Sequence, residues 1–543
     1  MTKSAFALAF VSFLASASVA VAQSPFSDLD QVASALKLDS FRTAKAARTV
    51  RIAILDNGFR GYQAEVGKSL PASTKFHAGP VAVDPQGEES HGLFMAQIVA
   101  GLLGKNPQLP YELHLYSAFG YSNLEQAVQA IANEKFDVVL YSQVWEYGGN
   151  GDGRGFINAL VSRATGSTVW VNASGNFGDA TFKTAITAME DAWAKLPGPN
   201  NAVRVRCQTN SRGKCQLRAL LTWNDFKDDV AQGTDKDLDL VLTDDTLKIV
   251  RTSGLQQVKS MPTPPTPGTS LYPREIIQAE LTPGVYFLRV KVRSSNFTST
   301  DSLKLHATGD FIQQVDANSK TESLLPPADN AAVITVGASD SAKSAVSTSM
   351  GKPELVTRSL LTLTSGDAYK GSSNAAAVAA ALAAMVKSVK PDLDRAQVLT
   401  LLKGDVGGFV TGQGLPIEVL EFQPTGAGCF LTAALPTIPR SAEPLFRGGA
   451  VGVRTSMGLK ILTAIDPFTL TGMTRVNAND MLVATNSGIA VMLRSSQRML
   501  PPGTYEIAQI PRGQTFCAFN GTPQTGSSSS NQLRLPPLTA LGQ

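Results

Sequence analysis

The sequence predicts an α/β protein: a parallel sheet flanked by helices, interrupted by an inserted β-sandwich and followed by a C-terminal β-rich domain. Three observations predict it. Residues 49–176 alternate apolar runs, "VRIAILD" (50–56), "FDVVLYS" (136–142) and "STVWVNAS" (167–174), with helical stretches such as "NLEQAVQAIANE". Such alternation gives parallel strands covered by helices. From about 197 to 312 the texture changes to short alternating strands broken by turn residues. A buried strand, "AAVITVGASD" (331–340), then returns and leads into a helix that is mostly alanine.

Taken in order, the 543-residue chain opens with Lys3, the apolar stretch "AFALAFVSFLASASVAVA" and the small triplet Ala20-Val21-Ala22. This is the pattern of a signal peptide over 1–22, cleaved before Gln23, rather than of a membrane anchor. Residues 23–48, with "DLDQVASALKL", read as an N-terminal helical segment. Residues 49–196 and 313–425 form the two parts of the α/β domain. Between them, 197–312 carry "RALLTWND", "DLDLVLTD", "GVYFLRVKVRS" and the Pro-rich "SMPTPPTPGTSLYP", a small sandwich. Residues 426–526 resume the β texture, and 527–543 read as an unstructured tail by composition.

Composition bounds the partners. Hydrophobic residues make up 43% and charged residues 17% of the chain, enough apolar material for more than one core. The net charge of +4 comes without a dense Lys/Arg block interleaved with aromatics, so a nucleic-acid partner is not expected. No segment after the signal supplies the roughly 20 apolar residues of a bilayer span, so no membrane contact is expected after its removal. The expected location is secreted or periplasmic. The sequence sets no oligomeric state. Cys207, Cys215, Cys429 and Cys517 allow three disulfide pairings. Of these, Cys207–Cys215 with Cys429–Cys517 suits a short hairpin and a separate C-terminal unit.

Three polar residues stand where apolar elements end or begin. Asp56 closes "RIAIL", His91 opens "HGLFMAQIVAGLLG", and Ser373 opens the alanine helix. Taken singly, each has an ordinary structural reading: a turn aspartate, a satisfied histidine, a serine N-cap. In open parallel sheets, however, reactive groups gather at the carboxyl ends of strands and at the helix starts beyond them. The order Asp, His, Ser is one of the known orders of a nucleophilic triad.

These segments resemble the subtilisin-like serine peptidases. "VRIAILDNGF" resembles that family's strand ending in the catalytic Asp, "SHGLFMAQIVAG" its histidine helix, "VNASGNFGD" its strand ending in Ala-Gly-Asn, and "GSSNAAAVAAALAAMVKSVKPDLDRAQVLTLL" its serine helix. The resemblance implies a subtilisin-like parallel sheet. It also implies a serine-type endopeptidase acting on peptide or protein substrates, with Ser373 as nucleophile, His91 as general base and Asp56 orienting the imidazole. Asn176 would supply the oxyanion-hole amide, with Asn172 as its rival, and Ser142 and Gln143 would line the substrate groove. Leu93, Asn374, Ala377 and Asn57 depart from the family pattern, and Gln143, Val144 and Trp145 stand where Leu-Gly-Gly is usual. Residues 23–48 are too short for the usual inhibitory propeptide. These departures keep a second reading open, a catalytically inactive subtilase-like binding protein. No cofactor is required by such chemistry. Asp235, Asp237 and Asp239 could offer oxygens to a structural calcium ion, or could line a solvated face. Among the other histidines, His77 is the alternative base, and His114 and His306 read as structural.

Overall fold

The computed structural model describes residues 24–36, 38, 46–81, 90–106, 108–166, 168–208, 213–314 and 318–403, and beyond these the backbone of strands between 419 and 534. The signal segment 1–22 lies outside the described residues. The main sheet is built from β1 (Val50–Asp56), β2 (Lys75–His77), β3 (Tyr111–Ser117), β4 (Val138–Tyr141), β5 (Val169–Ala173), β6 (Ile334–Ala338) and β7 (Leu355–Thr357). Its order is β7-β6-β5-β4-β1-β3-β2, and every pairing is parallel. Apart from the half-exposed Arg51, β1 is buried throughout, as are all of β4, β5 and β6. A sheet covered on both faces requires this, and it is why these strands read as continuous apolar runs.

Helices α1 (Leu29–Ala35), α2 (His91–Leu103), α3 (Tyr121–Glu134), α4 (Phe156–Ser162), α5 (Ser372–Val389) and α6 (Arg395–Lys403) cover the sheet. Helix α5 packs against α2 and across β4, β5 and β6. Of its 18 residues only Val389 is not buried. Alanines permit this, because a side chain of one carbon lets helix and sheet backbones approach from every side. The helix is long and apolar enough to cross a membrane, but nearly all of it is buried inside the fold. Segment 24–38 joins the same core through Phe26, Leu29, Ala33, Leu36 and Leu38, and Asp28 accepts the Thr362 N–H.

Strand order reverses at β1. The chain leaves β1 toward β3 and β2 on one side, and toward β4 and β5 on the other. Ligand crevices of open α/β sheets lie outside the carboxyl ends of the strands at such a point.

The insertion is a sandwich of a five-stranded and a four-stranded antiparallel sheet with its own core, which includes Trp223, Leu240 and Leu305. It begins earlier than 197. Thr181–Ala185 pairs antiparallel with Ser302–Thr308, so the boundary of the α/β domain expected at 196 falls before Thr181. Cys207 and Cys215 form the expected disulfide, but not within a hairpin: Val203–Cys207 belongs to the five-stranded sheet and Cys215–Trp223 to the four-stranded one, so the bond ties the two sheets together. The side chains of Cys429 and Cys517 lie outside the described residues. Val419–Thr425, expected to close the α/β domain, pairs instead with Gly428–Leu435 and Gly458–Thr463 of the C-terminal β unit. Within the expected tail, Gln532–Arg534 pairs with Thr504–Ile507.

Candidate functional site

Asp56 is the last residue of β1 and is fully buried. Its Oδ1 accepts the Asn57 N–H at 2.8 Å, and its Oδ2 lies 2.8 Å from His91 Nδ1. An imidazole nitrogen that close to a carboxylate carries the proton, so the neutral ring leaves its lone pair on Nε2. The approach of α2 to β1 depends on the residue after the histidine. A Cβ on Gly92 would stand 2.6 Å from Asp56 Cβ and 2.7 Å from the Gly58 carbonyl oxygen. The Gly92 N–H donates to that same oxygen at 2.9 Å. Only glycine lets the helix start this close to the strand end.

The two residues after β4 join this pair to the serine. Gln143 Nε2 lies 3.3 Å from Asp56 Oδ1 and 3.4 Å from His91 Nδ1. Since Nδ1 already donates to Asp56, the Gln143 amide donates to the carboxylate. One residue earlier, the Ser142 carbonyl accepts the Ser373 hydroxyl at 3.2 Å. The Asp56–His91 pair and Ser373, remote in the chain, therefore contact consecutive residues, Gln143 through its side-chain amide and Ser142 through its carbonyl. Burial pushes the Tyr141 phenol, at the end of β4, well above its ordinary value, and the nearby Asp56 adds to this. Gln143, expected at the substrate groove, has its amide committed to Asp56. Ser142, expected there too, is buried, and its hydroxyl has no partner.

The end of β5 supplies the fourth group. Gly175 has φ +92°, a conformation that favours glycine, and turns the chain so that Asn176 is exposed beside the start of α5. Asn176 Oδ1 accepts the Ser372 N–H at 3.1 Å, which orients its amide NH₂ away from that bond. Asn172 is fully engaged. Its Nδ2 donates to the Gln143 and Ala173 carbonyls, and its Oδ1 accepts the Trp170 indole N–H. Ser372 also has a task of its own, accepting the Gly175 N–H at 3.0 Å. That bond pins α5 to the end of β5 and leaves the adjacent Ser373 as the forward hydroxyl. Asn374 donates to the Ser359 and Tyr369 carbonyls and fixes the turn entering α5. The structural parts of Ser372, Asn374 and Gln143 were not read from the sequence. A run of two serines and an asparagine at a helix start was the available signal for the first two.

The remaining candidates are placed elsewhere. His77 is on edge strand β2, hydrogen-bonded to His114 at 3.1 Å and stacked on Tyr116 at 4.2 Å, with no contact to Asp56. His306 is buried in the sandwich against Thr181, and burial lowers it to about 3. The aspartate row does not fit a calcium ion. Asp235 pairs with Lys259 at 2.7 Å, Asp239 pairs with Arg293, and no cluster of three metal-ligating side chains forms among the described residues.

No family model matches the sequence, and no curated protein matches it. Among solved structures the chain is similar to the Clostridium perfringens CspB protease, at 13% identity and a TM-score of 0.41, over 68% of this chain and 92% of that one. It is also similar to the serine protease MycP1 of the type VII (ESX-1) secretion system, at 14% identity and a TM-score of 0.31, over 74% and 87%. MycP1 from Mycobacterium smegmatis matches at 13% identity and a TM-score of 0.32, over 70% and 81%. Likenesses this distant assign no activity, and the functional reading stands on the side chains described above.

Proposed function

We propose that the chain is an exported serine endopeptidase that cleaves peptide or protein substrates through an acyl-enzyme on Ser373. The observation that carries this reading is the 2.8 Å contact of His91 Nδ1 with a fully buried Asp56, a pair bonded to the Gln143 side chain while the Ser373 hydroxyl is bonded to the carbonyl of the preceding Ser142. A serine hydroxyl is a weak nucleophile without a neighbouring base. Here the tautomer of His91 is set by Asp56, so Nε2 is the side that can take a proton. When substrate binds, Ser373 Oγ attacks the scissile carbonyl carbon and its proton passes to His91 Nε2. The oxyanion receives the Asn176 amide and the Ser373 backbone N–H, one of the first-turn donors that an α-helix leaves without intrahelical partners. His91 then delivers its proton to the leaving amine as the carbon–nitrogen bond breaks. Water, deprotonated by His91, releases the acyl group and restores the serine. The Cys207–Cys215 disulfide supports an oxidising, extracytoplasmic location.

One observation favours the silent reading: the Ser373 hydroxyl is bonded to the Ser142 carbonyl rather than held toward a base. A single comparison separates the two readings. The parent and Ser373→Ala are assayed on casein and with a fluorophosphonate probe. Labelling and cleavage confined to the parent are expected. Equal labelling or equal cleavage in both proteins rules Ser373 out, and a parent inert in both assays leaves the binding reading.

A further inference from the structure

We infer that Val144 closes the subsite for the side chain that furnishes the scissile carbonyl, so that cleavage follows glycine, alanine or serine rather than long aliphatic or aromatic residues. This rests on the proposed function and names its substrate class.

The acyl carbon must come within bonding reach of Ser373, with its oxygen toward Asn176. Ser373 is held at Ser142, directly after β4, and Asn176 follows directly after β5. The two strands are parallel neighbours, with Tyr141 in register with Asn172. Beyond these ends the chains part. The Trp145 N–H turns to the Pro326 carbonyl at 2.7 Å, while Ser174 and Gly175 bond across to Val336 and Ala345. A substrate side chain on the acyl side has to enter between the two strand ends, 142–145 and 174–176.

That space is occupied. Val144 Cγ2 and Cγ1 lie 3.0 and 3.5 Å from the point where a Cβ on Gly175 would stand, so the isopropyl group already fills what the glycine leaves open. Behind it Val144 packs on Leu324, Ala328 and Ala345, all buried. The strip carrying it is braced by the inserted sandwich. Glu146 pairs with Arg218, the Arg274 guanidinium lies 3.9 Å from the Tyr147 ring centre, and Asn150 exchanges two hydrogen bonds with the Phe226 backbone. A β-branched side chain with one preferred rotamer, on a strip held at three points, does not swing aside. The side chains expected to be accepted beside it are therefore a hydrogen, a methyl or a hydroxymethyl. In an apolar pocket each methylene of mismatch changes kcat/KM by roughly 10–200-fold.

The test is cleavage-site profiling of a peptide library by mass spectrometry with the full-length protein, Val144→Gly, the milder Val144→Ala, and Ser373→Ala as blank. The parent is expected to cut after small residues, with leucine and phenylalanine at least tenfold slower. Val144→Gly is expected to raise the leucine-to-alanine ratio of kcat/KM at least tenfold, and Val144→Ala by less. If Val144→Gly fails to fold, the parent profile and Val144→Ala still decide. A fluorophosphonate-labelled parent that cuts mainly after large residues overturns this inference alone. So do ratios unmoved in folded Val144 variants. A parent neither labelled nor cleaving overturns the proposed function and this inference with it.

Discussion

Asp56 and the row Asp235, Asp237 and Asp239 are carboxylates at strand ends in two different folding units. Asp56 is buried at the switch point of a parallel sheet, and besides the adjacent Asn57 its partners come from other elements: Gln143 beyond β4 and His91 at the start of α2. The aspartate row opens a sandwich strand, and two of its members face basic side chains, Lys259 and Arg293. Asp237 has its Oδ1 buried without a partner. In the first case the charge is directed at one titratable ring. In the second it is neutralised locally or left uncompensated. Acidic residues crowded in sequence are a poorer sign of chemistry than one aspartate that the topology places opposite a histidine.

The sharpest way to break the comparison is Asp56→Asn. If the carboxylate exists to hold the His91 tautomer, kcat falls by about 10⁴-fold with substrate binding largely kept. Any of the row aspartates changed to asparagine leaves kcat within twofold or so. Steady-state kinetics on the best library peptide measures both. A small effect at Asp56 places it with the structural carboxylates.

A middle-sized effect separates the two asparagines. Asn176 is exposed with its side chain bonded to the Ser372 N–H at the start of α5, so Asn176→Ala is expected to lower kcat by roughly 10²–10³-fold with little change in melting temperature. Asn172 is fully buried with both polar atoms engaged, so Asn172→Ala is expected to lower the melting temperature first. Paired melts and kinetics on both variants decide the assignment, and the reverse pattern exchanges their roles.

The fold, and the places of Asp56, His91 and Ser373 at the ends of its elements, were legible because their signals are local. A buried strand ending in Asp-Asn-Gly, a helix opening on His-Gly and a Gly-Ser-Ser turn before an alanine run each announce an element and its exposed end. Gln143 was read as a groove residue, and its bond to Asp56 was not legible, because that contact spans 87 positions and depends on β4 lying beside β1. The sandwich boundary was misread because Thr181–Ala185 is short and only partly buried, so its membership shows only through its pairing with Ser302–Thr308. The cations that pair with Asp235 and Asp239, Lys259 and Arg293, were not legible from the aspartate spacing, because they come from other strands and loops of the sandwich.

The smallest effect tests the uncompensated member of the row. Burial raises the Asp237 carboxyl from 3.8 to about 6, with Asp239 and Glu275 adding and Arg293 opposing. Between those values the folded chain keeps a proton that the unfolded chain has released. Stability therefore falls as pH rises through that window, and the full cost is present at pH 7. The side chain is partly exposed, so solvent screening reduces the cost to about 1 kcal/mol. Asp237→Asn removes the charge at nearly constant volume and is expected to raise the melting temperature at pH 7 by roughly 2 °C, with no gain at pH 4. Thermal melts at the two pH values, with and without calcium, measure this. A loss of stability at pH 7 would mean that Arg293 outweighs burial. Calcium that stabilises the parent and not the variant would make the row a metal site after all, and would remove the contrast with Asp56.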